Sequence, residues 1–402
     1  MLHGSLWNKL IRYALPVAAT GILEQLFNAS DIAIVGNFTG EAKTIAVAAV
    51  GANSPIVGLI LNFFIGIALG ANVVIANAIG KKDEDAIRKA VHTSVLMAVI
   101  LLYNFEAAIF RSIGETGIPL KALAVSGVLN VILNLFFVIV LKMTVNGVAI
   151  ATVVANAVSS VLLLIKLIRT TDVIRINRRD LKFDGKAFFD IVRIGLSAGI
   201  QSAVFAVANI VIQSAINSLG TVVIAASSAA FNIEIIAYDV FNSFSQACTT
   251  FTGQNYGAGQ YKRCRKVLIL CIVEDAIATS AVILLILLSG KTLLALFNND
   301  PQVIELGYTR LVMVFSAYAF SMLYENMSGY LRGFRISLIP AILTVIGVCG
   351  VRILWMFTVF PTHRTFRAIL MAYPVSLSIT ALLILLALIA CHPSHKMQKL
   401  KQ

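Results

Sequence analysis

The sequence predicts an all-α polytopic membrane protein of two six-helix-type lobes, related by a parallel internal repeat, with the first lobe shortened and about 11 spans in all. Three observations predict it. Apolar runs of bilayer length recur from one end of the chain to the other. Charge is confined to short clusters between them. Motifs of the first half return in the second at fixed offsets. Of 402 residues 59% are hydrophobic and 13% charged, with a mean hydropathy of +0.89. A soluble domain carries about a quarter charged residues, so the medium that accepts this surface is lipid, and no soluble domain fits between the runs.

The candidate spans are 13–36, 46–75, 90–110, 119–141, 146–168, 190–217, 222–250, 266–289, 305–331, 338–360 and 366–391. Each is near the roughly 20 residues that cross a hydrocarbon core as a helix. Lys9 and Arg12 before the first run imitate a signal peptide, but the run continues to Gly36 without a cleavage-like stop and reads as a retained span. The polar stretch from Arg169 to Lys186, with Arg175, Arg178, Arg179 and Lys182, divides the chain nearly in half. The expected organisation is therefore a lobe over 1–168, a basic cytoplasmic linker over 169–189, a second lobe over 190–391 and a cytoplasmic tail over 392–402.

The halves repeat. Ile11-Arg12-Tyr13-Ala14-Leu15-Pro16 parallels Val192-Arg193-Ile194-Gly195-Leu196-Ser197, and Gly80 and Arg88 match Gly257 and Arg265 at an offset of 177. Farther on, Tyr103, Arg111 and Pro119 match Tyr324, Arg332 and Pro340 at an offset of 221. The first half therefore lacks 44 residues between Lys89 and Tyr103 that the second half has, around Ala276 to Phe320. Six spans per complete half make the repeats parallel, with the substrate path between them.

Basic clusters at Lys81–Lys89, Arg169–Lys186, Lys262–Lys266, Arg332–Arg335 and Lys396–Lys401 fall on one side of a twelve-span scheme. The opposite loops hold only Lys43, Lys142, Lys291, Arg364 and Arg367. That asymmetry puts both termini in the cytoplasm, and it accounts for the net charge of +13 without a nucleic-acid partner. Only 22 residues separate Lys89 from Arg111, although both belong on the cytoplasmic side. A hairpin there has arms of about ten residues, roughly 15 Å each, and is tolerable only where protein covers its turn.

Ionisable groups inside a bilayer are costly and point to function. Glu24, Asn28 and Asp31 share one face of the first span; Asn130 and Asn134 are four apart, with Thr152 and Asn156 on the next span. Such amides and hydroxyls coordinate Na⁺ or simply join helices, and both readings stand. Asp239 recurs with Asn232 and Gln246 every seven residues, and Glu325 shares a face with Ser321, Tyr324 and Ser328. Glu106 lies in the short stretch, and Glu274 and Asp275 follow a basic loop. No phosphate cradle, Ser-His-Asp set or paired-His spacing is present, which excludes an ATP-driven pump and a hydrolase; the chain is not expected to be an enzyme. The five cysteines form no CxxC pair and read as buried thiols.

As a set, several segments resemble the multidrug and toxic compound extrusion (MATE) family. They are Ala14-Leu15-Pro16 through Asp31-Ile32-Ala33-Ile34-Val35-Gly36, Ala48 to Pro55, Gly147 to Thr152, Thr250 to Gly259 and Tyr330-Leu331-Arg332-Gly333. The resemblance covers essentially the whole chain. It implies a two-lobed, V-shaped antiporter in the cell membrane, driven by Na⁺ or H⁺ without a bound cofactor, a monomer exporting small cationic amphipathic substrates by alternating access. By position it implies a coupling-ion site at Asp31, Asn130, Asn134 and Thr152. Apart from the resemblance, the intramembrane polar residues Glu24, Asn28, Asp239 and Glu325 are expected toward substrate. Some members have an Asp where Asn134 stands, and some have acids in the seventh and tenth spans, where Gly195–Asn217 has none and Ser321 stands. Two alternatives remain: a lipid-linked saccharide flippase of the same superfamily, and an inactive, internally deleted membrane protein.

Overall fold

The computed structural model describes residues 1–38, 43–97, 102–177, 181–391 and 393, without the side chains at 32–33, 35–38 and 43–59. Arg178 and Arg179 of the expected linker, and the expected tail apart from Pro393, lie outside the described residues. In lipid every backbone N–H and C=O must find a partner within the chain, and helices achieve this locally. The helices are α1 Trp7–Phe38, α2 Lys43–Lys81, α3 Glu84–Met97, α4 Leu102–Ile113, α5 Gly117–Leu135, α6 Val145–Arg169 and α7 Gly185–Asn217. They are followed by α8 Thr221–Gly257, α9 Tyr261–Ala295, α10 Pro301–Phe315, α11 Tyr318–Gly333, α12 Leu338–Thr344, α13 Val351–Thr358 and α14 Phe366–Cys391. Helix α5 runs on through a π turn, Phe136–Val140, and Val345–Gly350 makes another between α12 and α13.

The all-helical class is as expected. Among the described residues eight helices are long and apolar enough to cross a membrane, or nine when α10 and α11, bent by 45° at their junction, count as one. Helix α1 is not among them, since Glu24, Gln25, Asn28 and Asp31 dilute its apolar character. Residues 98–101 of the expected span 90–110 lie outside the described residues. Helices α3 and α4 flank them, with 14 and 12 residues. These are about 21 and 18 Å long, short of a hydrocarbon core of roughly 30 Å. The two pack on each other and on α2, and α4 also packs on α5 and α6. Phe105, Glu106, Ala107, Ile109 and Phe110 are all buried, so protein covers α4. Asn72 Nδ2 on α2 donates to the Ala108 carbonyl at 3.3 Å.

The chain divides into two compact units, Leu15–Gly199 on one hand and Met1–Ala14 with Ile200–Gln402 on the other. In the first unit, Ile67, Ala71 and Ile75 of α2 pack with Ile87, Phe110, Leu163 and Ile191. Glycines bring α2 and α7 together there. A Cβ on Gly66 or Gly70 would strike the backbone of Gly199 or Ile191, and one on Gly195 would stand 2.5 Å from Ile67 Cα. Small residues at four-residue spacing let helices approach closely where lipid gives no hydrophobic drive. The end of the linker is tied down as well. The Asp184 backbone N–H donates to Thr93 Oγ1 of α3 at 3.0 Å, and its own carboxylate caps α7 through the Ala187 N–H at 2.7 Å.

The second unit is organised by a buried ion pair. Arg310 of α10 donates to both Glu234 oxygens of α8 at 2.6 and 3.0 Å, and to Ser227 Oγ at 2.6 Å. The Arg310 guanidinium lies over the rings of Phe231 and Tyr373, and Tyr238, Phe241, Phe315 and Tyr318 stack edge-on on one another. Tyr13 reaches Thr250 Oγ1 at 2.8 Å and packs on Phe251, anchoring residues 1–14 to α8. All five cysteines are free thiols, four of them buried.

Two stability outcomes follow from this packing. Gly70→Val forces α2 from α7 and lowers the unfolding free energy by about 1–3 kcal/mol, read as a lower thermal midpoint of the detergent-purified protein. Gly117→Ala, where a Cβ meets open space, leaves the midpoint near wild type. Glu234→Ala leaves the Arg310 guanidinium buried without its carboxylate and costs about 3–5 kcal/mol in the same measurement.

Candidate functional site

Three helices of the first unit converge on one carboxylate. Helix α1 brings half-buried Asp31, α5 brings buried Asn130 and Asn134 one turn apart, and α6 brings Thr152. Asn134 Nδ2 donates to Asp31 Oδ1 at 2.6 Å and to Asn130 Oδ1 at 3.0 Å. The Asn130 amide donates to Thr152 Oγ1 at 3.3 Å. The Thr152 hydroxyl stands 2.9 Å from the Val148 carbonyl and 3.4 Å from Asp31 Oδ2. Its single proton serves one of these at a time. Ile34, Val138 and Val148 pack together beside the group and give it an apolar floor.

The donors hold Asp31 in place but leave acceptors over. Asn134 Oδ1 is buried with no hydrogen-bond partner, and the oxygens of Asp31, Asn130 and Thr152 lie within one bond network of it. One carboxylate, two amide oxygens and a hydroxyl suit a hard monovalent cation or a proton rather than a thiophilic metal. Among the described residues no three His, Cys, Asp or Glu side chains come together.

The other expected residues do not join this group. Glu24, two turns before Asp31 on α1, is half-buried and within electrostatic reach of Arg111 from α4. Asn28 is exposed. Asp239 is half-buried on α8 and Glu325 buried on α11, both in the second unit. Glu325 is held by Arg332 at 3.3 Å.

One constellation escaped the sequence reading. Asp275 of α9, fully buried, accepts from Thr279 Oγ1 at 2.7 Å and from Asn326 Nδ2 of α11 at 2.5 Å. The four-residue step from Asp275 to Thr279 was the available sequence signal. Nothing in the sequence joins Asn326 to them across 51 residues.

The chain matches the MatE family model twice, over residues 16–105 and 198–358. The first match is the shorter and stops within α4. The chain is 23% identical to the probable multidrug resistance protein YoeA of Bacillus subtilis, over 94% of this chain and 93% of that protein. That alignment is 434 positions long, more than the 402 residues here, so YoeA carries residues within it that have no counterpart in this chain. A FAD transporter of Shewanella oneidensis is also 23% identical, over 67% of this chain and 70% of that one. Among solved structures, the outward-facing conformation of a multidrug resistance MATE family transporter of the MOP superfamily superposes with a TM-score of 0.87. It is 18% identical and covers 99% of this chain and 98% of its own, a likeness of fold.

Asn134→Ala strips the donor from both Asp31 and Asn130 inside the unit, at a cost of about 1–3 kcal/mol in unfolding free energy at neutral pH. Because the two residues are in contact, the effects of Asp31→Asn and Asn134→Ala are expected to be non-additive, with the double variant less destabilised than the two single changes combined. A thermal-unfolding double-mutant cycle measures this.

Proposed function

This chain belongs to the MatE family of membrane transporters, and from that premise we propose that it is a cation-coupled antiporter exporting organic cations by alternating access. The observation that carries the reading is the Asp31 network, a carboxylate held by Asn134 and Thr152 with the Asn134 oxygen left over. H⁺ or Na⁺ bound there neutralises a charge that the protein interior otherwise tolerates poorly. Helices α1, α5 and α6 meet through this polar set beside the apolar contact of Ile34, Val138 and Val148, so its occupancy changes how they hold together. A ligand shifts a conformational equilibrium only by its differential affinity for the two states. A carboxylate that either the ion or a cationic substrate can neutralise supplies that difference.

The Shewanella relative transports FAD, an anion, and offers a competing substrate class for a site of opposite polarity. The acidic and amide character of the Asp31 set favours a cation. A second reading, an inactive form, is favoured by α3 and α4, neither of which crosses a bilayer alone.

The test is ethidium accumulation in pump-deficient bacteria. The chain is expected to lower accumulation, and Asp31→Asn at equal membrane abundance to return it to the vector level. Efflux that survives Asp31→Asn removes the coupling role. Efflux seen only after 44 second-half-like residues are inserted between Lys89 and Tyr103 makes this chain the inactive form. Accumulation unchanged by either version removes the organic-cation reading.

A further inference from the structure

The buried carboxylates of the second unit are compensated unequally. Glu234 has Arg310 at 2.6 Å, and Glu325 has Arg332 at 3.3 Å. Asp275, with no solvent exposure, has only the neutral donors Thr279 and Asn326. Among the described residues no basic side chain pairs with it. Its sequence neighbour Glu274 is 3% exposed, and both its oxygens are buried without a hydrogen-bond partner. Both carboxylates act electrostatically on Cys271, so they line the same stretch of α9.

The arrangement repeats the donor chemistry around Asp31 in the other unit: a carboxylate, a carboxamide donating to one oxygen, and a threonine hydroxyl at the other. The leftover atom is also the same. Asn326 Oδ1 is buried and unpartnered, as is Asn134 Oδ1. The orientation of the Asn326 amide is fixed, because its Nδ2 also donates to the Met322 carbonyl at 3.0 Å and a flip would forfeit both bonds. The Asn326 oxygen is thus a held acceptor beside an uncompensated anion. The support behind it is rigid. On α11, Gly329 lies so close to α8 that a Cβ would stand 2.5 Å from the Ser245 carbonyl, and Ser245 Oγ donates to the Glu325 carbonyl at 2.8 Å.

An anion out of reach of water, solvated by two neutral donors and flanked by spare oxygens, calls for a small positive ion. The oxygens present are of the kind a hard cation takes. We propose that Asp275, Thr279 and Asn326 form a second monovalent-cation site that takes Na⁺, between α9 and α11 and separate from the Asp31 set. Glu274 adds negative potential along α9 and draws the ion in. The inference does not rest on the Asp31 reading, since no residue is shared.

Binding of radioactive sodium to the full-length chain in lipid nanodiscs tests it, with Na⁺-dependent thermal stabilisation as a parallel readout. The wild type is expected to bind Na⁺, Asp31→Asn to keep a site, and the Asp275→Asn variant to bind one ion fewer than wild type. Thr279→Val keeps the side-chain shape while deleting one oxygen. It is expected to weaken Na⁺ about tenfold or more, and decides the matter should Asp275→Asn fail to fold. A stoichiometry of one in wild type, retained in Asp31→Asn and lost in Asp275→Asn, sustains this site while moving Na⁺ away from Asp31. Sodium binding abolished by Asp31→Asn, or unchanged in Asp275→Asn or Thr279→Val, overturns the proposal. So does an absence of Na⁺ binding accompanied by stabilisation in acid, which makes Asp275 a proton carrier.

Discussion

A charge that cannot reach water must be compensated inside the protein, and lipid removes the usual escape of turning outward. The interior polar groups of this chain are sorted by how they meet that demand. Arginine meets it for Glu234 and Glu325, and rings meet part of it for Arg352, whose guanidinium lies 4.3 Å from the Tyr373 ring centroid and bonds Ser376 at 3.1 Å. These groups are settled within the fold. Asp31 and Asp275 have neutral donors in place of a cationic partner, which orients a carboxylate but leaves its charge for something else to balance. A transporter needs that second condition, because a site already neutralised by arginine has little to gain from an ion.

The same constraint bears on the short helices of the first unit. Removing tens of residues from a helix pair in water would leave a loop, but in lipid it would leave unpaired backbone. Helices α3 and α4 both pack on α2, and α4 also on α5 and α6. The side chain of Asn72 attends to a carbonyl of α4, and the Tyr103 hydroxyl bonds the Pro119 carbonyl at 3.3 Å. Glu106, deep among these helices with both oxygens unpartnered, shows that the repacking is not purely apolar. The first family match is the shorter and ends at residue 105, and the YoeA alignment holds residues with no counterpart in this chain.

Much of this was legible in the sequence because it is written in short-range spacing. Asn130 and Asn134 one turn apart give each residue its helix face, while their grouping with Thr152 around Asp31 came from the family resemblance and not from spacing. The membrane class followed from run length and charge placement alone. What escaped depends on contacts that spacing does not encode. Whether α10 and α11 form one straight span or two segments bent by 45° turns on packing near Ser316 and Ala317, with no proline to announce it. Asp275 looked like an acid beside a basic loop because its partner lies on another helix, 51 residues away.

The unequal treatment of Asp275 and Glu325 is informative for this reason. Both belong to one unit, both are buried, and they lie within electrostatic reach of each other. Like charges held in a low dielectric repel strongly, so an arrangement serving stability alone would neutralise both or dispense with one. Arg332 answers Glu325 from one helical face of α11, while Asn326, its neighbour on the same helix, presents a neutral amide to Asp275. A single helix therefore carries one permanent counter-charge and one position where the counter-charge has been withheld. Replacing a withheld charge by a mobile ion makes the packing of α9 on α11 depend on that ion, a dependence that the Glu234–Arg310 pair, closed at 2.6 Å, does not permit.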